Sequence, residues 1–146
     1  MNGTDQDSVR LLRETNAGIQ MGMSSIDDII DDIDNTELRT VMSDARKEHE
    51  QLGGEAHEML LRYGCDTKEP HPIAKAMSTI KTNVKMAAEH DDKAAAELLT
   101  DGCNMGVKKL NQYLNDYCKA DSEIKSLTKK VIRSEEKLCK DVRAYL

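Results

Sequence analysis

The chain has 146 residues and a formal net charge of −6 at pH 7, which suits a single domain and argues against a nucleic-acid surface. Charged residues make up 33% and aromatic residues 3%, with no Trp or Phe and only two prolines, so the composition favours an all-α protein. No apolar run approaches the roughly 20 residues of a membrane span, and the polar start MNGTDQDS does not resemble a signal peptide. We therefore expect a cytoplasmic protein without membrane contact.

The first two predicted helices form a tight antiparallel hairpin. Apolar residues at alternating spacings of three and four predict a helix over residues 6–33, with Thr4 or Asp5 as its cap. A second helix is predicted over residues 35–63, and the turn between the two is only a few residues long.

The second helix carries one ionisable residue on an otherwise apolar stripe. Asp34 is its predicted N-cap, with Glu37 completing a capping box, and Gly64 is the predicted left-handed residue after its end. The residue that breaks the apolar pattern is His49. The full inward stripe is Leu38, Met42, Ala45, His49, Leu52, Ala56, Met59 and Tyr63.

Three more helices are predicted after the proline-containing break CDTKEPHP. A short one covers residues 72–88, and two long ones cover residues 92–117 and 121–145. Four long helices of similar length and one short helix predict a four-helix bundle. In this arrangement two antiparallel hairpins are joined by a short crossover helix, so the second and fourth helices are parallel.

Four stretches carry a resemblance that spans nearly the whole chain: DDIDNTEL, LLRYGCDTKEPHPIAKAM, AAAELLTDGCNMGVKKLNQYL and SEEKLCKDVRAYL. In these stretches the sequence resembles an uncharacterised bacterial family of ferritin-like four-helix bundles. The resemblance implies one helical-bundle domain over residues 1–146. It implies no reaction, because that family is without an established activity.

In each antiparallel hairpin, residues that are equally far from the turn along the sequence lie at the same height in the bundle. His49 falls level with Met21, and Glu135 falls level with Gly106. Parallel alignment of the second and fourth helices puts His49 beside Met105. We therefore predict that His49 and Glu135 belong to one central layer.

This layer is too poor in ligands for the usual ferritin-like metal centre, which takes a Glu from each of two helices and a Glu-x-x-His pair from each of the others. Arg46 stands three residues before His49, and Leu138 stands three residues after Glu135. We predict that His49 and Glu135 form a structural pair, with no bound metal, no cofactor and no catalytic residue. The alternative is a single-metal site in which the two residues are joined by a neighbour such as Gln20, Glu48 or Glu50.

The four cysteines, Cys65, Cys103, Cys118 and Cys139, are scattered without metal-binding spacing, so we expect reduced thiols. Cys103 and Cys139 fall at the same height, which leaves open whether they can pair.

We predict a non-catalytic helical bundle that serves in protein interaction or assembly, as a homo-oligomer formed through Met- and Ala-rich helix faces. The alternative is a metal-binding or redox protein of the ferritin-like class with a reduced His/Glu site in the bundle core.

Overall fold

The structure is a computed structural model that describes residues 3–65 and 91–146. These residues form four α-helices, α1 (Gly3–Ile29), α2 (Thr36–Arg62), α3 (Asp92–Asp116) and α4 (Ser122–Val142), and two 3-10 turns, Ile30–Asp32 and Arg143–Tyr145. No strand occurs within the two described stretches, in agreement with the predicted all-α class. The crossover helix predicted over residues 72–88 lies outside them.

The helix starts differ from the predicted caps. Thr4 and Asp5 lie inside the first turn of α1, which begins at Gly3. Asn35, and not Asp34, caps α2, since its side chain accepts the backbone N–H of Leu38 at 2.9 Å. The predicted Asp34–Glu37 capping box is therefore wrong.

The end of α2 confirms the predicted role of Gly64, which has a φ of +72°. The N–H of Gly64 donates to the Leu61 carbonyl at 3.0 Å, and the N–H of Cys65 donates to the Leu60 carbonyl at 2.9 Å. These two bonds form a Schellman motif, in which a left-handed glycine lets the chain turn back onto the last helical turn.

One end of the bundle joins the start of α1, the end of α2 and the α3–α4 turn. The Asp7 carboxylate accepts the backbone N–H of Lys119 at 2.9 Å, and the Ser8 hydroxyl accepts the backbone N–H of Asp121 at 2.7 Å. The Tyr63 hydroxyl donates to the Asp121 carboxylate. Side chains from two helices thus hold the α3–α4 turn in place.

The opposite end joins the α1–α2 turn to the start of α3, where the backbone N–H of Asp34 donates to the Asp92 carboxylate at 3.1 Å. Because α2 and α3 both start at this end, they are parallel, as predicted. Each of them packs against α1 and α4. Residues 65 and 91 lie at opposite ends of the bundle, separated by roughly the 40 Å length of a 27-residue helix.

The described residues form two hydrophobic core clusters, one toward each end of the bundle. The cluster nearer the α1–α2 turn includes Ile26, Ile29, Met42, Leu99 and Val142. The cluster nearer the α3–α4 turn includes Leu11, Leu12, Leu52, Leu60 and Leu127. His49 and Glu135 belong to neither cluster and lie between them.

None of the helices within residues 3–65 and 91–146 is both long enough and apolar enough to cross a bilayer.

Candidate functional site

The central layer of the bundle contains a buried ion pair between α2 and α4. The imidazole Nε2 of His49 lies 3.0 Å from a carboxylate oxygen of Glu135. His49 is 1% exposed and Glu135 is 7% exposed. The prediction that these two residues share one layer is confirmed.

The second ring nitrogen of His49 shows that this layer holds a proton. Nδ1 lies 2.9 Å from the carbonyl oxygen of Ala45, and a carbonyl can only accept, so Nδ1 carries a hydrogen. The contact between Nε2 and Glu135 then requires one more hydrogen. The pair is therefore either an imidazolium with a carboxylate or a neutral imidazole with a carboxylic acid, and in both forms its net charge is zero.

The surroundings of His49 act on its pKa in opposite directions. Burial lowers the pKa, because it disfavours the charged ring, whereas the hydrogen bond and the negative charge of Glu135 raise it. The Ala45 carbonyl and the charge of Glu48 raise it further. The net result is a pKa above the usual 6.5 for histidine, which favours the imidazolium–carboxylate form.

Two glycines border the ion pair, one from α1 and one from α3, and the first of them makes room for it. A Cβ on Gly22 would lie 2.8 Å from Cδ2 and Nε2 of His49 and 3.5 Å from a carboxylate oxygen of Glu135. A Cβ on Gly106 would lie 3.5 Å from the carboxyl carbon of Glu135. The latter distance is an ordinary van der Waals contact, so it is the missing side chain of Gly22 that provides space for the ring of His49.

Cys103 of α3 also borders the layer and is 3% exposed. Burial raises the pKa of its thiol far above the ordinary range, and the negative charge and hydrogen bonding of Glu135 raise it further. Cys139 is close enough to add to this effect, and its sulfur lies 3.6 Å from the Asn104 side-chain oxygen. All four cysteines are free. Cys103 therefore borders the site as a protonated, uncharged thiol.

Two of the three side chains that were predicted as possible further ligands of a metal are engaged elsewhere. Gln20 donates to the Asn16 side chain at 3.5 Å, and Glu50 is exposed and pairs with Arg46 at 3.6 Å. Within residues 3–65 and 91–146 no three His, Cys, Asp or Glu side chains are arranged to hold a metal ion. The donors of this layer do not fit a dinuclear centre.

The predicted neighbours of the pair are only partly right. Gly106 lies beside Glu135, as predicted, and Gly22 contacts His49 one position from the predicted Met21. Met105 is 55% exposed on the outside of α3, so its predicted place beside His49 is wrong. The physical reason is that α2 and α3 each pack mainly against α1 and α4 and not against each other.

Sequence reasoning missed a second buried polar contact, which joins α1 and α4. The hydroxyls of Thr15 and Thr128 lie 2.8 Å apart, and Thr128 also donates to the Ile124 carbonyl at 3.0 Å. The available signal was the polar residue Thr128 at helical spacing from the apolar residues Ile124 and Val131.

No known protein family matches the sequence, and no curated protein sequence matches it. Among solved structures, the crystal structure of a DUF305 fragment from Deinococcus radiodurans matches with a TM-score of 0.72. The match covers 94% of this chain and 93% of that chain. The two proteins share a helical fold. Because their sequences are 12% identical, the likeness shows the fold alone, and DUF305 is a domain of unknown function.

Proposed function

We propose that this protein is a non-catalytic, ferritin-like helical bundle that acts in protein interaction or assembly in the cytoplasm. The observation that supports this proposal is the set of residues that the four helices contribute to the central layer. Metal centres of ferritin-like proteins draw ligands from all four helices, whereas here α1 and α3 contribute Gly22 and Gly106. His49 and Glu135 bond to each other, and the remaining ring nitrogen of His49 bonds to Ala45. Such a layer holds the bundle together and leaves the histidine no free lone pair.

Large apolar side chains on the surface support the interaction part of the proposal. Leu61 near the end of α2, Met105 on α3 and Leu146 at the chain end are each more than half exposed. Burial of such side chains favours association, and methionine adapts well to a partner's shape because it is unbranched and flexible. The proposed assembly is a homo-oligomer in which Met105 is buried.

Two measurements test the proposal on one preparation purified without chelators. Elemental analysis is expected to find iron, manganese, zinc and copper far below one ion per chain. Light scattering across concentrations is expected to give a mass above the 16.4 kDa of one chain. Met105→Ser should weaken this association, and Lys108→Ser, a change at another exposed position of α3, serves as the control.

The two outcomes that contradict the proposal are distinct. A mass of one chain at every concentration removes the homo-oligomer. A near-stoichiometric transition metal that is lost in His49→Ala removes the non-catalytic assignment and favours the alternative, a metal-binding or redox protein of the ferritin-like class.

A further inference from the structure

The hydrogen bonds of His49 make the central layer dependent on one proton. A neutral ring carries a single N–H, so the 2.9 Å contact of Nδ1 with the Ala45 carbonyl and the 3.0 Å contact of Nε2 with Glu135 are both hydrogen bonds only while the pair holds a second proton. We propose that this proton acts as a latch that closes α2 against α4 in the middle of the bundle, and that its loss loosens the layer between the two core clusters. The latch operates whether or not the protein forms oligomers.

Among the residues that the structure describes, the groups that border the pair bring no positive charge that could take the place of the proton. From α1 the layer receives Gly22, and from α3 it receives Gly106 and the neutral thiol of Cys103. On α2 itself the nearby charge is that of Glu48, which is negative. In the described part of the chain no Lys or Arg forms an ion pair with Glu135.

Removal of the proton leaves a buried carboxylate beside a neutral imidazole, whose single N–H can serve only one of the two contacts. Either Glu135 or the Ala45 carbonyl then faces a lone pair, and the charge of Glu135 has lost its positive partner. An unpaired buried charge is strongly unfavourable in a protein interior. The layer can relieve it by admitting water or by separating α2 from α4. Relief of this kind is local, because the hydrophobic clusters above and below the layer do not depend on the pair.

The direction of the pH dependence follows from the raised pKa of His49. The native state holds its proton more tightly than the unfolded chain, in which histidine has a pKa near 6.5. The stabilisation by the pair is therefore complete below pH 6.5 and is lost as the pH rises through the native-state pKa. Each unit by which the pKa is raised corresponds to about a tenfold change in the folding equilibrium constant.

The matched control is the double variant His49→Gln/Glu135→Gln, which keeps a polar pair that cannot titrate. Denaturant unfolding of both proteins is measured between pH 6 and pH 10. Because other side chains titrate equally in both, the difference between them reports on the pair. The wild type is expected to lose stability relative to the variant as the pH rises, and a difference that is constant with pH overturns the latch.

A direct measurement on the wild type keeps the test valid if the double variant does not fold. The ring nitrogen and carbon NMR shifts of His49 report its protonation, with the exposed His57 as the comparison within the same molecule. Hydrogen exchange of the amides around His49 and Glu135 is expected to accelerate in the pH range where the ring loses its proton, while amides of the core clusters stay protected. A ring that titrates without any local change in exchange overturns the latch.

Discussion

The imidazole of His49 occupies the space that a side chain on Gly22 would need, since a Cβ there would lie 2.8 Å from two ring atoms. The ring cannot simply move aside, because both of its nitrogens are hydrogen-bonded. We therefore expect Gly22→Ala to destabilise the protein by about 1–3 kcal/mol, as overpacking usually does. Equilibrium unfolding in denaturant measures this change.

Gly54 is the matched control for this substitution. It lies inside α2, is exposed, and has no atom within 4 Å of the position that a Cβ would take. Gly54→Ala should therefore stabilise the helix by up to about 1 kcal/mol. Equal effects of the two substitutions would show that the ring of His49 does not fill the space at Gly22.

Removal of one member of the ion pair should cost far more than removal of both. His49→Leu leaves the buried carboxylate of Glu135 without its partner, for which we expect a loss of about 3–5 kcal/mol at pH 7. The double variant His49→Leu/Glu135→Met has no charge in the layer, so it should recover most of that loss. A double-mutant cycle in denaturant unfolding checks this coupling, and additive losses would contradict it.

The contact between Thr15 and Thr128 predicts an asymmetry between its two members. Thr128 already donates its hydrogen to the Ile124 carbonyl, so Thr15 must be the donor in the 2.8 Å contact. Thr128→Val leaves the buried donor of Thr15 unpaired, for which we expect a cost of about 1–3 kcal/mol. Thr15→Val should cost less, because Thr128 keeps its bond to the carbonyl. Thermal or denaturant unfolding of both variants tests the order, which a larger loss in Thr15→Val would reverse.

The four thiols should react with an alkylating reagent in the order of their exposure. Cys118 is exposed, whereas Cys103 is buried and burial raises the pKa of its thiol. We expect Cys118 to be modified first and Cys103 only when the protein unfolds. Peptide mass spectrometry after timed labelling measures this order. Rapid labelling of Cys103 in the native protein would contradict the structure of the layer.

The inward faces of α2 and α4 were predictable from the sequence because their apolar residues are large and evenly spaced. Leu38, Met42 and Leu52 of α2 are all buried, and so are Ile124 and Leu138 of α4. The height of His49 and Glu135 followed from the short turns, which fix the register of each antiparallel hairpin. The pairing of His49 with Glu135 could therefore be predicted from the sequence.

The inward face of α3 was not predictable in the same way. Alanine and glycine occupy many of its positions, so the apolar pattern fits more than one rotation of the helix. The structure buries Leu99 and Cys103, whereas Gly102 and Met105 are exposed. Packing against α1 and α4 decides between these rotations. The sequence of α3 alone does not specify this long-range packing.

The role of Gly22 was missed for a related reason. A missing side chain adds nothing to a hydrophobic pattern, so the only trace was an unfavourable residue in the interior of a helix.

The hydrogen bonds at the end of the bundle that contains the α3–α4 turn were missed because each joins residues far apart in the chain, such as Ser8 and Asp121.

The division of the core into two clusters bears on how this sequence can change through evolution. Leu11 and Ile29 lie on the same helix but in different clusters, with the polar layer between them. Substitutions at such a pair share no neighbours, so their energetic effects should add, whereas two substitutions inside one cluster should interact. Each half of the interior is thus free to exchange its apolar residues without compensating changes in the other.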